Sequence, residues 1–172
     1  TKLSHERVIG NIVTLFLGGT DTTSKTLAFA LYLLARDTEL QKQLQAEVAG
    51  VDLKAATLQD LFERLPRLKS FLHEVHRMYG VPFIALEADR EVTFLGTKLP
   101  KGTNFIILMK YVGNQTVAPS KDVPLGPNGE VPSEFCSTRY LVKDPDTGHL
   151  STLTPSTKAG GFMVFGHGMR SC

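Results

Sequence analysis

The run Phe165-Gly166-His167-Gly168-Met169-Arg170-Ser171-Cys172 concentrates the residue types most able to do chemistry in this chain. Glycines let a backbone come close to a bound group and turn its N–H groups toward one point. A cysteine held at such a point is a stabilised thiolate, and so a nucleophile or a metal ligand. Arg170 places positive charge beside it. The alternative is a cysteine packed inertly in a core.

Three further constellations carry potential chemistry. Gly18-Gly19-Thr20-Asp21-Thr22-Thr23 interrupts an apolar pattern with poor helix formers, and adjacent glycines cost roughly 1 kcal/mol each in a helix interior. A helix that opens there frees backbone carbonyls and hydroxyls, so that a small molecule and water can sit against Asp21 and Thr22. The other reading is a helix boundary capped by Asp21 or Thr22. The Gly-Lys-Ser/Thr ending of a phosphate loop is absent. Glu74 and Arg77 share a helix face at i, i+3 spacing. They form either a weak surface pair or a buried pair that needs further partners. His73 and His76 stand three apart, whereas zinc proteases place their paired histidines at i, i+4 with a third ligand. Metal binding at these two histidines is not expected.

The elements that must position these groups follow from composition and periodicity. The 172 residues fit one domain, and 42% apolar with 21% charged residues describe a folded chain. A net charge of +2, with no basic block, argues against nucleic-acid binding. No run of roughly 18 apolar residues spans a membrane, and the first residues, Thr1-Lys2-Leu3-Ser4, lack the form of a signal peptide. The cysteines Cys136 and Cys172 do not make a disulfide framework, so a reducing compartment is expected. The start and the halt on Cys172 both suggest truncation.

A long helix is expected from 4 to about 36, with Val8, Ile12, Leu15, Phe16, Leu27, Leu31 and Leu34 as its apolar positions. A second runs from 39 to about 48 behind an Asp37-Thr38 cap, with Leu40, Leu44 and Val48 on one face. A third covers 57–64 and buries Leu58, Leu61 and Phe62. A fourth begins at Pro66, an allowed first-turn proline, and ends near Tyr79. Short strands with tight turns are expected over 92–95, 98–103 and 104–109. The stretch 111–161 reads as irregular, with a short helix near 133–141. Helices first, then strands and loops, give an α+β fold that is mostly α.

Taken together and in this order, the motifs resemble those of the cytochrome P450 family. Gly18-Gly19-x-Asp21-Thr22-Thr23 is similar to its kinked oxygen-activation helix. Glu74-x-x-Arg77 is similar to its Glu-x-x-Arg helix, and Pro100-Lys101-Gly102-Thr103 to its sheet turn. Pro132-Ser133-Glu134-Phe135 with Arg139-Tyr140 resembles its Pro-Glu-Arg-Phe region, of which only the arginine is kept. Phe165-x-x-Gly168-x-Arg170-x-Cys172 resembles its haem-thiolate signature. The resemblance covers essentially the whole chain and implies the C-terminal part of a catalytic domain: a long kinked helix, a helix bundle, a small sheet and a haem-binding loop. The N-terminal half and the residues after the cysteine would be missing.

The resemblance also implies roles. Cys172 would be the axial thiolate of haem b, iron protoporphyrin IX, with Arg170 on a propionate, Phe165 against the macrocycle and Gly168 allowing close approach. Asp21 and Thr22 would relay protons during oxygen activation. Glu74, Arg77 and Arg139 would form a buried structural triad. Where the family commonly has a second propionate-binding arginine, Leu86 or Glu87 stands, and the stretches 120–132 and 144–158 are longer than usual. The implied activity is monooxygenation, an oxidoreductase reaction on paired donors with incorporation of O2. The electron donor would be NADPH-cytochrome P450 reductase or another protein.

Phe16, Val81, Pro82, Phe83, Ile84 and Leu86 suggest a lipophilic substrate, whether fatty-acid-like, sterol or xenobiotic. The family implies the cytosolic face of the endoplasmic reticulum, with attachment through an absent N-terminal anchor. The isolated chain is expected neither to hold haem tightly nor to turn over substrate. The alternatives are a family member that uses peroxide or rearranges its substrate without a reductase, and a non-catalytic haem-binding or helical interaction protein. Asp21 and Thr22 weigh against the first of these.

Overall fold

In the computed structural model, residues 3–80, 83–109, 111, 123–155, 162 and 164 are described. Among these residues, four helices and six short strands give an α+β fold that is mostly α.

Helix α1 (His5–Arg36) starts where Ser4 accepts a hydrogen bond from the Arg7 amide, with Glu6 in its first turn and Arg36 in its last, both favourable to the helix dipole. It runs through Gly18 and Gly19 without interruption, so neither the expected opening nor a cap at Asp21 or Thr22 is found. The hydroxyls there turn back on the helix. Thr22 Oγ1 donates to Gly18 O at 2.7 Å and Thr26 Oγ1 to Thr22 O at 3.0 Å, which satisfies them locally. Of this helix only Ala30 is buried. Val8, Ile12, Leu15, Phe16, Leu27 and Leu31 are all exposed.

Helix α2 (Thr38–Ala49) begins at Asp37, whose carboxylate accepts from the Leu40 amide at 2.9 Å, and it buries Leu40 and Leu44. Helix α3 (Leu58–Arg64) carries a reciprocal cap between Thr57 and Asp60. Its expected buried side is not buried, since Leu58 and Phe62 are exposed. Lys69 lies over the Phe62 ring, 5.8 Å from its centre.

Helix α4 (Pro66–Tyr79) is the axis of the fold. Its N-cap, Leu65, has no side chain able to cap. The Glu47 carboxylate of α2 takes that place, accepting from the Arg67 and Leu68 amides at 2.8 and 2.9 Å. Phe71 and Val75 join Ala30, Leu40 and Leu44 in one core, flanked by Leu33, Leu34, Leu68, Leu72 and Phe135. Phe29 of α1 stacks on Tyr79 at 4.7 Å.

The strands form three antiparallel pairs. β1 (Ile84–Glu87) pairs with β4 (Asn104–Ile107), β2 (Val92–Phe94) with β3 (Thr97–Leu99), and β5 (Leu141–Lys143) with β6 (Leu150–Thr152). The last hairpin is tied to α4, as Thr152 Oγ1 donates to Pro66 O at 2.8 Å. Strands β1, β5 and β6 fall where no strand is expected from the sequence. The helix expected near 133–141 is absent, and turns occupy that stretch.

The β2–β3 turn holds Leu95 at φ 48° and Gly96 at φ 80°. Two successive positive φ values match the mirror-image turn that favours Asn-Gly, yet this leucine is 90% exposed. A left-handed non-glycine residue costs about 1 kcal/mol or more. Leu95→Asn should therefore raise the urea midpoint of the full-length protein by the equivalent of about 0.5–1 kcal/mol. An unchanged or lower midpoint would show that the turn carries no such strain.

Candidate functional site

On α4, Ser70, Glu74 and Arg77 fall at i, i+4 and i+7, one stripe of the helix. All three are buried. Across from them lies Arg139, 3% exposed, in the turn segment after Phe135. Glu74 is the centre. Arg77 grips it with two parallel bonds, Nε to Oε2 at 2.8 Å and Nη2 to Oε1 at 2.7 Å. Arg139 Nε donates to the same Oε1 at 3.0 Å, and so does the Cys136 amide at 3.0 Å.

Two buried cations face one buried anion, so the excess positive charge must be met by dipoles. Backbone carbonyls supply them. Arg77 Nη1 donates to Pro132 O at 2.6 Å, and Arg139 donates to Pro124, Glu130, Val131 and Glu134 carbonyls at 2.7–2.9 Å. Within 133–141, where a helix is expected from the sequence, one of these carbonyls, Glu134 O, is turned to Arg139. Ser70 adds a clip: its hydroxyl donates to Ser137 O at 2.8 Å and accepts from the Tyr140 amide at 3.2 Å. Sequence reasoning passed over Ser70 and Glu47. The signal for Ser70 was a polar residue on the same stripe as Glu74.

Among the described residues no group of three His, Cys, Asp or Glu could hold a metal ion. His73 packs edge-on against Tyr140 at 5.6 Å and Phe162 at 5.7 Å, and those two rings pack edge-on at 5.9 Å. Burial pushes the His73 imidazole down to about 4, helped by the charges of Lys69 and His76. His76 is lowered as well, chiefly by burial.

Asp21 and Thr22 sit on an exposed stretch of α1, away from this network's contacts. Asp21 pairs with Lys25 at 2.9 Å, and Thr22 donates to Gly18 O while its own carbonyl accepts from Thr26 Oγ1. Leu86 and Glu87 are exposed on β1. Cys136 is buried, with Sγ 3.6 Å from Thr138 Oγ1. Phe165, Gly168, Arg170 and Cys172 lie outside the described residues, as do Val81 and Pro82.

The His73 shift fixes a sign. The folded state binds fewer protons than an unfolded chain whose histidine titrates at 6.5. The stability from neutral His73 is therefore complete above about pH 6.5 and lost as pH falls toward 4. His73→Phe should remove the larger part of the decline in urea midpoint between about pH 6.5 and 4.5, with His76 leaving a remainder. A slope unchanged by the substitution would contradict this.

Comparison with known proteins places these features in a family. The family model for cytochrome P450 matches residues 1–172. Human sterol 26-hydroxylase, mitochondrial, is 32% identical over 99% of this chain, and rat 25-hydroxyvitamin D-1 alpha hydroxylase, mitochondrial, is 30% identical over 99%. The chain spans only 30% and 31% of their lengths. A zebrafish cytochrome P450 solved with progesterone superposes with a TM-score of 0.65 at 25% identity, covering 92% of this chain and 32% of that one. With a match from first residue to last and the same fold in a solved member, this chain belongs to the cytochrome P450 family.

Proposed function

We propose that the enzyme containing this chain is a haem-thiolate monooxygenase that hydroxylates a sterol-like, lipophilic molecule. The observation that carries the reading is the Phe165-x-x-Gly168-x-Arg170-x-Cys172 run, in a chain matched by the family over its whole length. The reaction inserts one oxygen atom of O2 into a C–H bond and reduces the other to water, consuming two electrons and two protons. Membership of the family implies haem, and the donor set here suits iron protoporphyrin IX. A cysteine able to ionise supplies a soft anionic ligand, and an adjacent guanidinium matches a propionate. When bound, the group supplies oxygen activation, and the chain's own residues hold and orient it.

Cys172 would ligate the haem iron, Arg170 would hold a propionate and Phe165 would pack against the macrocycle, with Gly168 leaving room for it. Thr22 Oγ1 spends its proton on Gly18 O, so its oxygen keeps lone pairs to accept from a water. Asp21, held by Lys25 at 2.9 Å, would exchange protons with that water once released from the pair. Glu74, Arg77 and Arg139 touch no reacting atom. They fix α4 against the segment 123–139.

The substrate class follows the relatives, which act on a sterol and on 25-hydroxyvitamin D by name. Both are named as mitochondrial. The enzyme is accordingly read as mitochondrial, with a protein electron donor. No helix among the described residues is long and apolar enough to cross a membrane. Residues 1–172 alone, about 30% of such an enzyme, would neither hold haem tightly nor turn over substrate.

The reduced, carbon-monoxide-bound spectrum of the full-length enzyme tests the reading. A strongly red-shifted Soret band is expected, lost in Cys172→Ala. An imidazole-type band in both proteins, or no haem in either, would refute it.

A further inference from the structure

The segment leading to Cys172 touches α4 at both of its described residues. Phe162 is 2% exposed and rests on the His73 ring, two turns before the end of the helix. Val164 lies against the helix C-cap: a Cβ on Gly80 would overlap His76 O and come within 3.1 Å of Val164 Cγ1. Phe162 and Val164 thus lie against α4 at His73 and at Gly80, and Cys172 follows Phe162 by ten residues in sequence. His73 also meets Tyr140, whose neighbour Arg139 bonds Glu74. One side chain therefore contacts both the buried ion network's segment and the approach to the cysteine.

We propose that His73 is a positioning residue of the monooxygenase. Its ring, edge-on to Tyr140 and Phe162, locks the approach to Cys172 onto the helix that bears Glu74 and Arg77. The assignment rests on the haem-thiolate reading above for its functional consequence, while the ring anchor itself rests on geometry alone. The anchor works through shape. His73 Nε2 is buried with no hydrogen-bond partner among the described residues, so no polar contact of that atom accounts for a histidine here. The three centroid separations, 5.6, 5.7 and 5.9 Å, with interplanar angles of 73°, 86° and 76°, are those of mutually perpendicular aromatic rings, the arrangement their quadrupoles favour. A side chain of similar reach without a ring would lose both edge contacts while leaving the helix intact. A phenyl ring would keep them.

The test uses the full-length enzyme as wild type, His73→Gln, His73→Phe and Phe162→Leu, with Cys172→Ala as the spectral reference. Two readouts are taken. The first is the rate at which the thiolate-type Soret band of the reduced carbon-monoxide complex converts to the short-wavelength form in sub-denaturing urea. The second, which needs no haem, is amide hydrogen exchange in peptides containing Phe162 and Val164. His73→Gln should quicken both by about tenfold, the scale of two lost ring pairs, and Phe162→Leu should do likewise without altering α4. His73→Phe should stay within about twofold of wild type, because it restores both ring pairs.

Wild-type rates in His73→Gln would overturn the proposal. So would a His73→Phe variant as impaired as the glutamine one, which would make the imidazole, not the ring, the active feature. Should His73→Gln not fold, Phe162→Leu carries the same two outcomes. If wild type shows no thiolate band, the monooxygenase reading fails, and exchange at Phe162 and Val164 alone then supports or overturns the anchor.

Discussion

A single buried carboxylate, Glu74, organises this part of the fold. It is fully buried, and an isolated buried carboxylate would be prohibitively costly. It therefore has to be met by cations and N–H donors. Arg77 can reach it from the same helix. Arg139 and the Cys136 amide come from sequence far away, and bringing them in dictates the path of the chain from 123 to 139. The irregularity of that path is itself a product of charge. Five carbonyls, those of Pro124, Glu130, Val131, Pro132 and Glu134, turn inward to solvate the two guanidiniums.

The rest of the assembly keeps α4 in place around that centre. Glu47 closes its N-terminus from α2, Thr152 ties Pro66 to the β5–β6 hairpin, and Ser70 clips the chain at Ser137 and Tyr140. The apolar core of Phe71 and Val75 covers the next face. His73 then presents a ring to Tyr140 and Phe162. Four faces of one fourteen-residue helix are committed to four different partners, which explains why so little of it is left to solvent.

Much of this was legible from sequence because caps and prolines punctuate it. Asp37, Thr57 and Pro66 start their helices where local chemistry demands, and Gly80 ends α4. The α+β class and the Glu74-x-x-Arg77 spacing were also readable. Other features depended on distant residues. β1, β5 and β6 lie in stretches where no strand is expected from the sequence, though they are no shorter than β2 and β3. The stretch 133–141 carries helix-like spacing but forms turns, with Glu134 O given to Arg139, which only the fold brings near. At Gly18-Gly19 composition pointed to an interruption, whereas the flanking apolar turns and the back-bonded hydroxyls of Thr22 and Thr26 carry the helix through. The exposed apolar positions of α1 show the converse: periodicity reports that a face is apolar, not what covers it.

A double-mutant cycle on Glu74 and Arg139 in the full-length enzyme, read by urea unfolding, tests the central role of the buried carboxylate most directly. Glu74→Gln and Arg139→Gln should each cost about 3–5 kcal/mol, because each strands buried charge. The double variant should cost less than their sum by about 2–3 kcal/mol. Single losses below about 1 kcal/mol, or additivity to within about 0.5 kcal/mol, would contradict the account. Glu74 would then be one buried residue among many and not the centre on which this segment is built.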